Sequence, residues 1–231
     1  MHTNSYGNYQ VVETSFGKVL EINDSPSSLL GKNAAGFAYI EYIKKVLFQD
    51  LKLQNKVILV LGAGGFSLSA ESTHNNHFIY VDVDPKIKKI VERNFLTGIK
   101  GDFIAADARE FLNKTTEKYD VIVGDTYSNQ IAIPAHLLTQ EYFAAMYQAL
   151  KPGGIAIFNV VAKPTLADAY SKRIDNTIRT IFKNCMTAPL QYTAVQPTNI
   201  IYICNKAENA NDPMIYSDNL NRATLDYFKV H

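Results

Sequence analysis

An excess of charge of either sign is missing from this sequence. Lys and Arg number 23 and Asp and Glu 22, for a formal net charge of +1. A nucleic-acid or anionic membrane partner needs a basic surplus, so neither is expected. Cysteine is scarce: Cys185 and Cys204 are too few for a disulfide framework and are expected as reduced core thiols. No apolar run approaches the roughly 18 residues of a membrane span. The polar opening, residues 1–9, has no charged n-region followed by an apolar stretch. The expected location is therefore the cytoplasm. No internal repeat, low-complexity segment or Gly-x-Ser-x-Gly nucleophile motif is found. His74 and His77 lie three apart with no acid or Cys triplet beside them, so no metal is expected. What is present is an ordinary globular composition, 47% hydrophobic and 19% charged over 231 residues. That excludes disorder and allows one large core better than two full domains.

Alternation over residues 9–14 and 18–22, around Ser15-Phe16-Gly17, predicts a small N-terminal β-hairpin. Residues 23–33 hold Pro26 with Ser and Gly and read as a loop. Phe37, Ile40, Ile43 and Leu47 have helical spacing and predict a helix over 34–51. A βα alternation then begins. Residues 57–61 form a continuous apolar run, as a strand buried on both faces does. Gly62-Ala63-Gly64-Gly65 and a helix-compatible stretch follow. Further strands are expected at 77–81, 103–106, 119–123 and 155–160, with helices from Pro85, after Asp107, over 139–150 and over 166–182. Residues 186–193 and 200–204 read as an antiparallel pair, followed by a terminal helix. The expected fold is α/β: a doubly wound, Rossmann-like, mostly parallel sheet with a C-terminal antiparallel strand pair. The hairpin and loop (1–33) would precede a catalytic domain (34–231) resembling the class I S-adenosylmethionine-dependent transferases.

Such sheets bind ligands beyond the carboxyl ends of their strands. Four ends carry candidates. Gly62, Ala63, Gly64 and Gly65 allow close backbone approach to a ligand, with a helix N-terminus behind them. Asp82, 20 residues after Gly62, has the spacing of an acid that takes both ribose hydroxyls of an adenosine. Asp84 is its backup, or a helix cap before Pro85. Asp107 can accept from an adenine amine, or cap a helix. Asp125 ends the fourth strand, where a transferred group would sit. Loop and acid together suit an adenosine ribose without separating an S-adenosyl ligand from NAD.

Read with their neighbours, these ends resemble the spermidine synthases. The strand and loop through Gly62 match the family, and Val60 stands where ordinary methyltransferases place an acid. Phe37-Ala38-Tyr39-Ile40-Glu41 resembles the family's Phe-x-Tyr-His-Glu segment, with Ile40 in place of His. Asp82-Val83-Asp84 resembles its Glu-x-Asp, and Ala106-Asp107-Ala108 its adenine-holding Gly-Asp-Gly/Ala. Gly124-Asp125-Thr126-Tyr127-Ser128 resembles the segment carrying the catalytic Asp, and residues 133–143 continue in register. The resemblance spans roughly residues 5–204 and includes a small β domain in front.

It implies aminopropyl transfer from decarboxylated S-adenosylmethionine to an amine or polyamine, with Asp125 as catalytic base and Tyr39 lining the active site. Tyr127, Ser128 and Gln130 would touch the substrate, and the chain would form a dimer or tetramer. Three departures qualify this. Ser128 stands where the family has a second, diamine-gripping acid. Gly65, or the neighbouring Phe66 or Ser67, stands where it has an acid for the aminopropyl amine. The segment Asn159-Val160-Val161 lacks the acid after the fifth strand. A methyltransferase using S-adenosylmethionine itself is the alternative that Gly65 favours. An NAD-dependent oxidoreductase fits Asp107 and the closing strand pair poorly. A non-catalytic member of the fold is a fourth reading. His136, after the Asp125 loop, is a further base candidate or an exposed loop residue.

Overall fold

The computed structural model describes residues 2–127, 133–191 and 196–207. An N-terminal antiparallel sheet runs in the order β1-β2-β3-β4, from β1 (His2–Thr3), β2 (Asn8–Thr14), β3 (Gly17–Ile22) and β4 (Ser25–Leu30). The expected hairpin is β2 and β3. The expected loop contains β4 instead. Its Ser- and Pro-rich sequence shows no alternation, but β3 offers it an open edge, pairing Lys18 with Leu30 and Ile22 with Ser25. The register shifts between Leu20 and Glu21 as Pro26 is passed, which suits a proline on an edge strand.

The expected long helix is shorter at its start. Asn33 and Ala34 take left-handed backbone (φ 55° and 56°), so no helix can begin there. Helix α1 (Ala38–Lys44) starts after Phe37 and runs into a π-helical turn, Lys45–Asp50.

The main sheet has the order β10-β11-β9-β8-β5-β6-β7. Its parallel strands are β5 (Val57–Leu61), β6 (His77–Asp82), β7 (Asp102–Ala105), β8 (Tyr119–Gly124) and β9 (Leu150–Ala162). β11 (Thr198–Asn205) lies antiparallel to β9, and β10 (Asn184–Pro189) antiparallel to β11. The intervening helices are α2 (Ile87–Asn94), α3 (Ala108–Lys114), α4 (Gln140–Ala149) and α5 (Ala169–Ile181). Strand β9 is longer than expected at both ends, because the chain passes from α4 straight into extended backbone at Leu150. The helix expected at 166 starts at Ala169, where Asp168 accepts the Ser171 N–H at 2.9 Å as its cap. The expected terminal helix lies outside the described residues.

Alternate residues of β5 explain the layering. Ile58 and Val60 join Ile43 and Leu47 on one face, whereas Leu59 and Leu61 join Met146 and Ile178 on the other. Burial on both faces is why these strands read as unbroken apolar runs. Strand order reverses between β5 and β8, which opens the crevice at their carboxyl ends.

Two expectations are corrected. Cys185 and Cys204 are not thiols; they face each other across the β10–β11 ladder and form a disulfide. Their separation of 19 residues gives no hint of that register. The stretch after the glycine turn is not a full helix but one 3-10 turn, Ser67–Ser69, entered through left-handed Phe66 (φ 57°). Its Ser-, Thr- and Asn-rich continuation, residues 67–76, competes with helical hydrogen bonding.

Candidate active site

The ends of β5, β6, β7, β8 and β9 and the start of β11 open into one cavity of about 790 Å³. That is the scale of a small-molecule site. Its floor is the turn after β5. Gly62 has φ +92°, and a Cβ there would lie 2.2 Å from the Asp125 carbonyl oxygen, so only glycine fits. The Asp125 N–H donates to Leu61 O at 2.9 Å, tying the turn to the end of β8. Ala63 N–H donates to Asp82 Oδ2 at 2.9 Å, tying it to β6. Gly65 N–H donates to Ser28 Oγ of β4 at 2.8 Å. A Cβ on Gly65 would meet Phe95 Cε1 at 2.5 Å and Ser28 Cβ at 2.7 Å, so the site has no room for a side chain at that position. With one 3-10 turn behind this loop, the expected helix N-terminus is reduced to a few peptide dipoles.

On the β6–β7 side, burial raises the Asp82 carboxyl above its ordinary range, against backbone N–H groups of Asp84 and Ala63 that hold it down. Asp84 is almost wholly buried. Its Oδ1 accepts the Lys86 N–H at 2.8 Å, and its Oδ2 accepts from Tyr9 Oη at 2.6 Å and Asn4 Nδ2 at 2.7 Å. Asp84 thereby pins the N-terminal sheet to the edge of the cavity. Asp107 caps α3, with Oδ1 accepting from Arg109 N at 2.9 Å and Glu110 N at 3.0 Å. Its Oδ2 is 2.8 Å from His136 Nε2. Partial burial pushes the Asp107 carboxyl up, but His136 and those N–H groups bring it below the usual range. His136 is therefore committed to Asp107. His77 sits 2.7 Å from Asp102 and His74 stacks on Phe48, both away from the cavity.

On the β8–β9–β11 side stands Asp125. Burial raises its carboxyl, opposed by the hydrogen bond from Asn159 and by the nearby Tyr39 hydroxyl, which itself donates to Ser27 O at 3.5 Å. Asn159 Nδ2 donates to Asp125 Oδ1 at 3.0 Å, and Asn199 Nδ2 donates to Asn159 Oδ1 at 2.8 Å. Burial, then the Asp125 charge, pushes the Tyr39 phenol far up, so it stays a neutral donor. Tyr127 Oη donates to Asn159 O at 3.0 Å and accepts the Val161 N–H at 2.7 Å, which fixes its ring along β9. Ser128 and Gln130 lie outside the described residues.

The structure thus brings Gly62, Ala63, Gly64, Gly65, Asp82, Asp84, Asp107, Asp125, Tyr39 and Tyr127 to one cavity. Sequence reasoning missed Ser28, Asn159 and Asn199. A lone Asn in the apolar run of a two-face-buried strand was the available signal for Asn159, since a buried amide demands partners. Nothing local marked Ser28, whose role depends on a strand pairing.

A family model described as the spermine/spermidine synthase domain matches residues 36–213. The chain belongs to the spermine/spermidine synthase family. Among curated relatives, the polyamine aminopropyltransferase of Vibrio vulnificus (strain CMCP6) is 30% identical over 133 residues, covering 54% of this chain and 43% of its own length. The chain spans about half the length of the curated relatives it matches. Among solved structures, a probable spermidine synthase from Corynebacterium glutamicum ATCC 13032 aligns with a TM-score of 0.74 at 20% identity, covering 98% of this chain and 85% of its own. A spermidine synthase in complex with the transition-state analogue AdoDATO aligns with a TM-score of 0.67 at 17% identity, covering 100% of this chain and 84% of its own. These two establish the synthase fold for this family member, with its small antiparallel sheet in front. Among the described residues, no helix is long and apolar enough to cross a membrane.

Proposed function

We propose that this family member transfers an aminopropyl group from decarboxylated S-adenosylmethionine to an amine or polyamine acceptor. The observation that carries the reading is Asp125: a half-buried carboxylate, held by the Asn159 amide, in the same cavity as Tyr39, Asp82 and the glycine turn. The residues present fit an adenosyl ligand. A turn with no side chain larger than the Ala63 methyl ends β5, Asp82, an acid suited to ribose hydroxyls, stands next to it at the end of β6, and Asp107, an acceptor suited to the adenine amine, follows β7.

The co-substrate supplies a carbon already activated by a positively charged sulfur. The protein's task is alignment and proton removal. An acceptor amine has a pKa of roughly 10 and arrives protonated at neutral pH. Asp125 orients it and takes a proton, directly or through water. The freed nitrogen lone pair forms the N–C bond, and the C–S pair leaves with sulfur as neutral methylthioadenosine. Tyr39, whose hydroxyl donates to Ser27 O at 3.5 Å, lines the cavity with Asp125 and offers an aromatic ring to the cation. Tyr127 contributes to the acceptor wall. Self-association as a dimer or tetramer, and the division of the chain at residue 33, belong to the same reading. So does a cytoplasmic location, where reducing thiol pools would act on the Cys185–Cys204 bond.

Methyl transfer from S-adenosylmethionine is a second reading with its own support. No side chain fits at Gly65, so that position cannot supply an acid for the aminopropyl amine. The products separate the two readings. Aminopropyl transfer releases methylthioadenosine, whereas methyl transfer releases S-adenosylhomocysteine. Detection of S-adenosylhomocysteine alone would overturn the first reading.

A further inference from the structure

We propose, resting on the aminopropyl-transfer reading, that the acceptor is a primary amine with a single positive charge and a neutral polar tail, rather than a diamine. Register brings the relevant wall together. Thr198 and Asn199 at the start of β11 pair with Ala162 and Val161 at the end of β9, beside the end of β8 that carries Asp125. Among the described residues, around that mouth stand Tyr127, Asn159, Val161, Thr198 and Asn199, all neutral, and one carboxylate, Asp125. The other carboxylates lining the cavity, Asp82, Asp84 and Asp107, belong to the β6–β7 side. Each is already engaged there by backbone N–H groups, His136 or Tyr9.

A buried ammonium is tolerated when a carboxylate pairs with it, and is expensive when nothing does. Asp125 can pair with the reacting amine only. A second ammonium further along the wall would face amides and hydroxyls. Those groups instead match a hydroxyl or carboxamide tail, which can both donate and accept. The Asp125–Asn159–Asn199 chain of hydrogen bonds extends this neutral surface away from the reacting end. A polar tail is therefore solvated along the wall without a second charge.

The test uses the full chain with decarboxylated S-adenosylmethionine and follows methylthioadenosine release with 4-amino-1-butanol and with putrescine, two acceptors of equal length. The expected result is a kcat/KM at least about tenfold higher for the amino alcohol, the ratio that one modest interaction supplies. Equal or better turnover of putrescine would overturn the inference and leave aminopropyl transfer standing. Methylthioadenosine from neither acceptor would overturn aminopropyl transfer and the inference with it. A converse variant, Val161→Glu, adds a carboxylate to the wall and should move the ratio toward putrescine by about tenfold. Thr198→Glu serves the same purpose if Val161→Glu does not fold. An unchanged ratio in a folded variant would overturn the charge argument.

Discussion

The two halves of the cavity are built on different principles. The half over β5, β6 and β7 is made of backbone: a glycine turn, N–H groups aimed at Asp82, and acids whose lone pairs are largely occupied by the fold itself. The half over β8, β9 and β11 is made of side chains: Asp125, Tyr39, Tyr127 and two asparagines bonded in sequence. A backbone-built half tolerates little change, because its parts also hold the sheet together. A side-chain-built half can be altered residue by residue while the sheet stands. Among the described residues, the first half carries Asp82, Asp84 and Asp107, and the second carries neutral groups around Asp125.

Substitutions sharpen the contrast, the largest effect coming first. Asp125→Asn should lower turnover by about a thousandfold, in the range of a lost general base. Co-substrate affinity, read by calorimetry, should stay within a few-fold. A parallel loss of both would merge the halves. Asp82→Ala should do the reverse and weaken co-substrate binding by about 10–100-fold, the cost of one or two hydrogen bonds to a charged group.

Asn159→Leu should act on the acid limb of the kcat/KM profile. Burial already raises the Asp125 carboxyl, and the Asn159 hydrogen bond partly lowers it. Asp125 must be ionised to accept a proton, so activity falls as pH drops through its raised pKa. Removing Asn159 should move that limb to still higher pH. A limb that stays in place would mean Asn159 does not tune Asp125. Tyr9→Phe is the smallest change. It removes one buried hydrogen bond to Asp84, should cost about 1 kcal/mol and should lower Tm by roughly 2–4 °C in a chain of this size. Turnover should be close to wild type.

The same contrast governs what could be read from the sequence. Strands β5, β6 and β8 announce themselves as apolar runs because both faces are buried, and the acids at their ends follow from strand position. The glycine turn is legible because its constraint is local, and the antiparallel close because two β-rich runs flank a short loop. Features that depend on pairing across the chain are not legible. Ser25–Leu30 has no strand pattern of its own; β3 makes it a strand and so delivers Ser28 to Gly65. Cys185 and Cys204 meet only through the β10–β11 register. Asn159 and Asn199 acquire a role through the register of β9 with β11, and Asp107 acquires His136 through a loop return.

The central claim is that this cavity binds an adenosyl sulfonium bearing an aminopropyl group. Side-by-side calorimetry with decarboxylated S-adenosylmethionine, S-adenosylmethionine, methylthioadenosine and NAD tests it most directly. The account predicts tightest binding of the decarboxylated compound, measurable binding of methylthioadenosine, and weak or no binding of NAD. Preference for S-adenosylmethionine would contradict aminopropyl transfer, and absence of binding by every adenosyl compound would contradict the site itself.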